Sequence, residues 1–114
     1  MTGGAVVFSA LAGGVVLFHA AIILGAPWGR LTMGGRWPGV LPPGARVLSA
    51  LSALLMVVMA AVLWRGGPGW AVWAVVGLSV LAVVANAATP SRAERRLWLP
   101  VTVVMALAAL SVAL

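Results

Sequence analysis

The chain has 114 residues, 64% of them hydrophobic and only 7% charged. A soluble domain carries roughly 25% charged residues, so too little polar surface exists here to cover a water-soluble globule, and composition alone implies a membrane protein. The charges are seven arginines and Glu94, a formal net charge of +6, with no Lys, Asp, Cys or Tyr.

The absent residues exclude much chemistry. Without Cys there is no disulfide, thiolate nucleophile, iron–sulfur site or structural zinc site. Without Lys there is no Schiff base and no P-loop lysine. A single carboxylate, Glu94, makes neither an acid/base pair nor a magnesium site built from several carboxylates. A single histidine, His19, makes no histidine cluster. The expectation is therefore no enzyme, no metal site and no cofactor. Because the arginines sit between apolar runs, their anionic partner is read as phospholipid headgroups rather than nucleic acid.

The first apolar run, residues 5–26, holds no formal charge. It lacks a basic n-region and is long for a signal-peptide core, so it is read as a retained helix. Ala5, Ser9 and Gly13, and Ala10 with Gly14, repeat small residues at spacing four, a face that lets another helix approach closely. The connector 27–46 follows. Four Pro and six Gly between residues 25 and 46 prevent a regular helix. Trp28, Leu31, Met33, Trp37, Val40 and Leu41 make it too apolar for a plain linker, which predicts an ordered interfacial loop with Arg30, Arg36 and Arg46 at headgroup level.

Three more runs follow, at 47–64, 70–88 and 97–114. At about 1.5 Å per residue, 18 residues reach roughly 27 Å, just enough for a hydrocarbon core of about 30 Å. Unpaired backbone groups are not tolerated in lipid, so all four runs are read as helices. The connector 65–69 carries only Arg65. The connector 89–96 carries Arg92, Arg95 and Arg96 with Glu94. Ser91 and Glu94 match the S-x-x-E capping box, with Thr89–Pro90 as an alternative start. Glu94 also suits the helix dipole and is expected to pair with an arginine of the first connector. Pro100 should bend this last helix.

The fold class is therefore all-α: one domain, 1–114, of four transmembrane helices. Six arginines lie on the side shared by the first and third connectors, against one opposite. The positive-inside rule makes the Arg-rich side cytoplasmic and places both termini outside. Trp28, Trp37 and Trp98 mark the Arg-rich boundary, and Trp64, Trp70 and Trp73 the other, as an aromatic belt at each face.

This topology gathers polar side chains. His19, Ser49, Ser52, Asn86 and Thr102 all fall toward the Arg-rich side, which predicts a polar layer in that third of the bundle. Polar residues within spans usually face the bundle and find partners. The layer reads as helix–helix glue, as a small ligand or ion site with His19 as its titratable group, or as a haem or pigment site ligated by His19. Ser9, Ser79 and Ser111 lie outside it and are expected to bond their own backbone turns.

The connector motifs resemble a known family. G-A-P-W-G at 25–29, G-G at 34–35, P-G-V-L-P at 38–42 and Arg46, with T-P-S-R-A-E-R-R-L-W-L-P at 89–100, resemble a family of small four-helix bacterial integral membrane proteins. The likeness spans most of the chain. It implies the four-span fold and carries no assigned activity and no catalytic residue. The family pattern often has Gln where this chain has His19. Small multidrug transporters share only size and span number, because their membrane-embedded Glu in the first helix has no counterpart here.

Two functions remain in view for a bacterial inner (plasma) membrane protein. The first is a packing or accessory module, as a homo-oligomer or in a larger membrane complex, with the cytoplasmic Arg/Trp loops as its recognition face. The second is a binder or carrier of a small apolar or zwitterionic ligand, using His19, Ser49, Ser52, Asn86 and Thr102. Arg30, Arg36, Arg46, Arg92, Arg95 and Arg96 are the candidate headgroup or anion contacts. The two differ in one structural expectation: the module fills its bundle with Leu, Val, Met and Ala, whereas the binder keeps a cavity of a few hundred Å³ beside His19.

Overall fold

The computed structural model describes residues 2–114 and contains four long helices: α1 (Gly3–Ile23), α2 (Pro43–Arg65), α3 (Gly69–Ala88) and α4 (Arg92–Ala113). Each is long and apolar enough to cross a membrane. No strand occurs among the described residues. The long axis of about 40 Å matches a bilayer with its headgroup regions. The outward faces are apolar, with Leu17 72% and Leu81 64% exposed. A patch of that kind is expected where lipid rather than water is the solvent.

The helices outrun the apolar runs where local caps allow. The Thr2 hydroxyl accepts from the Ala5 N–H at 3.1 Å and starts α1 at Gly3. Gly25, at φ 104°, lies just past its end. Pro43 opens α2 at its first turn, four residues before the apolar run, because its fixed φ suits that position and its missing N–H would be unpaired there anyway. The Ser91 hydroxyl accepts from the Glu94 N–H at 3.2 Å and starts α4 at Arg92, five residues before the run. The α4 helix then continues through Pro100.

The bundle is an up-down-up-down square with unequal sides. The α1–α2 and α3–α4 pairs pack closely and α1–α4 less so, while α2 and α3 meet only sparsely. One core cluster joins Ala5, Phe8, Ala12 and Val15 of α1 to Met59 and Leu63 of α2, Val72, Val75 and Val76 of α3, and Met105, Ala108 and Ala109 of α4. These residues fill the bundle centre and the end that carries the α2–α3 turn. On α1 the buried positions recur at spacing three and four, one helical stripe. The expected small-residue face is only partly this stripe: Ala5 is buried, but Gly13 and Gly14 look outward onto open space. The tight approach of α1 falls instead at Gly4, where a Cβ would lie 2.6 Å from the Ala108 carbonyl oxygen of α4.

At the Arg-rich end a second, small cluster of Ile22, Leu41 and Ala45 anchors the first connector. As expected, no long helix forms there. The chain makes two short helical turns, Gly29–Leu31 and Met33–Gly35, and closes on itself through Gly29 N–H to Gly39 C=O (2.9 Å) and Arg30 N–H to Pro38 C=O (3.2 Å).

Candidate functional site

The Arg-rich end of the bundle holds a pocket that is open on one side, with Ser52 and Ala85 of its lining exposed. A cavity of about 540 Å³ lies where α2 and α3 diverge. Val15, Phe18 and His19 of α1 line one wall, with Ser52 and Met56 of α2, Ala82, Ala85 and Asn86 of α3, and Glu94, Trp98 and Thr102 of α4 completing it. The Leu31–Gly34 stretch of the first connector and Thr89–Pro90 cover its outer end. Its volume lies in the usual range of ligand sites, roughly 300–1,000 Å³.

Four of the five polar residues expected to cluster line this cavity: His19, Ser52, Asn86 and Thr102. Ser49 stands behind it, fully buried, with its Oγ 2.8 Å from His19 Nδ1. That bond joins α1 to α2 and leaves Nε2 as the imidazole's other polar atom. The expected layer is otherwise not a network between helices. The Ser52 hydroxyl donates to the Leu48 carbonyl (3.0 Å), Asn86 Nδ2 to Ala82 (2.8 Å), and the Thr102 hydroxyl to Trp98 (2.8 Å) and Leu99 (3.1 Å). Each spends its donor on its own helix, one turn back, as hydroxyls and amides in apolar surroundings do. Their acceptor lone pairs and the second Asn86 N–H remain for something else. Ser79 and Ser111 bond their own turns as expected, to Val75 and Ala108.

The cover of the cavity is latched by polar groups that sequence reasoning placed only in part. Glu94 is 7% exposed, and its Oε2 accepts from the Gly34 N–H at 3.0 Å. Its partner on the first connector is thus a backbone amide rather than the expected arginine. The turn explains why. Met33, Gly34 and Gly35 all have positive φ, at 51°, 70° and 72°, a run that glycine tolerates at two of the three positions and that presents the Gly34 N–H to the carboxylate. The capping box is therefore only half closed: Ser91 Oγ caps the Glu94 N–H, while the Glu94 side chain leaves for the loop and the Ser91 N–H takes Thr89 Oγ1 at 3.3 Å. The Ser91 hydroxyl also donates to the Arg30 carbonyl.

Trp98 is the third latch. Its indole N–H donates to the Leu31 carbonyl at 2.7 Å, and its ring meets Phe18 edge-on at 4.9 Å. Trp28 stacks on the other side of Phe18 at 6.3 Å. Of the boundary tryptophans, Trp98 thus faces the protein interior rather than serving as a lipid anchor alone. Trp64, Trp70 and Trp73 at the opposite end are half or more exposed, in keeping with the aromatic belt.

The candidate headgroup arginines divide. Arg30, Arg36, Arg92 and Arg96 are exposed, and the Arg36 guanidinium lies 4.9 Å from the Trp37 ring centroid. Arg46 and Arg95 are half-buried and tied to backbone: Arg46 Nε donates to the Leu41 carbonyl (2.8 Å) and Arg95 Nη1 to the carbonyl of Thr89 (3.2 Å), a residue that lines the cavity. Comparisons with protein families, curated proteins and solved structures return no match to this chain.

Proposed function

We propose that this chain is an integral protein of the bacterial inner membrane that holds a small amphiphilic ligand, apolar or zwitterionic, in the cavity beside His19 and Asn86. The observation that carries this reading is the hollow itself: about 540 Å³ at the Arg-rich end, bounded by all four helices and by the latched connector. A module whose only work is packing has no reason to keep its sparsest seam next to its only histidine. The six arginines of that end support its placement in the cytoplasm, with both termini outside. The family of small four-helix bacterial membrane proteins that the connectors resemble is consistent with this reading and adds no activity to it.

The packing reading keeps support from one observation. Gly13 and Gly14 present an open small-residue face on α1, next to Val57 and Ala60 of α2, and a second protein helix fits such a face.

The test is retention of a molecule. Mass spectrometry of organic extracts of the purified full-length protein should find an amphiphile at near-stoichiometric level. The Ala85→Trp variant, whose side chain fills the cavity, should lose it while keeping its helical circular dichroism. Equal retention in both proteins rules the cavity out. For orientation, a C-terminal tag should be accessible only from outside intact spheroplasts.

A further inference from the structure

The cavity holds the chain's only acidic side chain, and that side chain is half used. Glu94 Oε2 takes the Gly34 N–H, whereas Oε1 has no hydrogen-bond partner among the described residues. No fully buried side-chain oxygen or nitrogen among the described residues lacks a partner, so Oε1 keeps accessible surface, and Glu94 is one of the residues that line the cavity. None of the seven arginines hydrogen-bonds it. Arg95, its neighbour in sequence, turns its guanidinium to the Thr89 carbonyl instead. The side chain as a whole is more than nine-tenths buried, yet one carboxyl oxygen stays accessible and unbonded in a chain of net charge +6, which leaves it free to accept from a guest.

The rest of the lining offers more free acceptors than donors. The free Asn86 oxygen and the hydroxyl lone pairs of Ser52 and Thr102 are acceptors. Phe18 and Trp98 supply aromatic faces, and Met56 with Ala82 supplies apolar wall. Acceptors, one carboxylate and aromatic faces together favour a nitrogen cation that still carries N–H bonds. On the same helix as Glu94, the exposed Arg92 and Arg96, and Arg95 bonded to the lining residue Thr89, favour a negative group on the same head.

Resting on the ligand-binding reading above, we propose that the cavity takes an amphiphile with a primary ammonium head, the ammonium donating to Glu94 Oε1 and any phosphate of that head lying outward at Arg95. The hydrocarbon tail leaves along the sparse α2–α3 seam toward the lipid. A bilayer aminophospholipid and a free long-chain amine share this chemistry.

The experiment uses the full-length protein in neutral detergent and two probes of equal chain length, dodecylammonium and dodecanol, with binding read from tryptophan fluorescence. Charge-assisted hydrogen bonds are stronger than neutral ones, so wild type should prefer the ammonium probe by about tenfold or more. Glu94→Gln keeps an amide oxygen for the Gly34 N–H and removes the charge. It should bind the two probes alike, with the near-ultraviolet circular dichroism of its tryptophans unchanged. A preference absent from wild type, or surviving in Glu94→Gln, overturns the ammonium assignment and leaves the cavity reading standing. If neither probe binds wild type, both fail.

A second measurement needs no variant. In wild-type protein reconstituted into phosphatidylethanolamine vesicles, dodecylammonium should bind several-fold more weakly than in phosphatidylcholine vesicles if the bilayer lipid already fills the site. Equal, tight binding in both assigns the site to a free amine. Loss of the preference over dodecanol in both vesicle types overturns the proposal.

Discussion

The two ends of the bundle are built from the same four helices by opposite means. At the end that carries the turn between Arg65 and Gly69, side chains interdigitate: Phe8 and Ala109 are fully buried, and Leu63, Val72 and Met105 nearly so. The helices stand close enough for Gly4 of α1 to lie against the backbone of α4. At the Arg-rich end the side chains stop short of one another and leave a hollow. There the connector is anchored by the small cluster of Ile22, Leu41 and Ala45 and latched by single polar contacts, Glu94 to Gly34, Ser91 to Arg30 and Trp98 to Leu31. Lipid tails are as apolar as leucine, so helices in a membrane gain little from hiding apolar surface and associate through packing and polar bonds. One end relies mostly on the first, the other mostly on the second. Only the second surrounds the space it leaves with His19, Asn86, Glu94 and Thr102 together.

This contrast predicts where the molecule is fragile. Phe8→Ala should produce the largest loss, about 3 kcal/mol, the low end for truncating a buried phenylalanine, because dispersion contacts are lost without the usual transfer term. Met56→Ala, at the cavity wall but packed on its other side against the main core cluster, removes atoms that partly face open space and should cost less, about 2 kcal/mol or below. Unfolding in mixed micelles, followed by circular dichroism, measures both. Equal losses would mean that the cavity end is as tightly packed as the other.

Next in size is the cover. Glu94→Ala leaves the Gly34 N–H without its acceptor and should cost about 1–3 kcal/mol if that amide stays dry, less if water reaches it. The location of the effect is the sharper readout. Amide exchange should accelerate in residues 29–41 while the amides around Phe8 keep their protection, since local opening follows the contacts that hold each region. Uniform acceleration along the chain would show that the two ends are one cooperative unit.

The division between the ends also marks what the sequence makes legible. Four helices, an ordered first connector and the gathering of His19, Ser52, Asn86 and Thr102 at one end follow from hydropathy, from Pro and Gly content and from helix direction alone. Helix starts at Pro43 and Arg92 were displaced because caps act on single residues, whereas hydropathy averages over many. The role of Glu94 was half legible. The S-x-x-E spacing marks the cap, but its side-chain partner depends on the left-handed turn at Met33–Gly35, sixty residues away in sequence. The G-G pair at 34–35 was the available signal, since adjacent glycines often permit such a turn. By its position in the chain Trp98 is a belt residue; its inward rotation is decided by packing against Phe18, which no local pattern encodes. The cavity was legible only as a condition: a hollow is what remains where α2 and α3 do not meet, and no residue pattern states a gap.

The smallest effect concerns the polar bond between helices that joins His19 Nδ1 and Ser49 Oγ, the single one within the spans among the described residues. Hydrogen bonds of this kind between membrane helices average about 0.6 kcal/mol, so Ser49→Ala should be nearly silent in unfolding. Its consequence lies in the imidazole. While Ser49 donates to Nδ1, the proton of neutral His19 sits on Nε2; with the hydroxyl as acceptor, Nδ1 carries the proton and Nε2 becomes an acceptor. The two states offer an incoming ligand opposite chemistry. Nitrogen-15 chemical shifts of His19 should therefore show one dominant tautomer in wild type and a mixture in Ser49→Ala. If the ammonium head also reaches His19, the wild-type tautomer is the one with Nε2 unprotonated, and Ser49→Ala weakens dodecylammonium binding a few-fold without touching dodecanol. A tautomer ratio unchanged by Ser49→Ala would separate the serine from the site and leave it as a contact between α1 and α2 only.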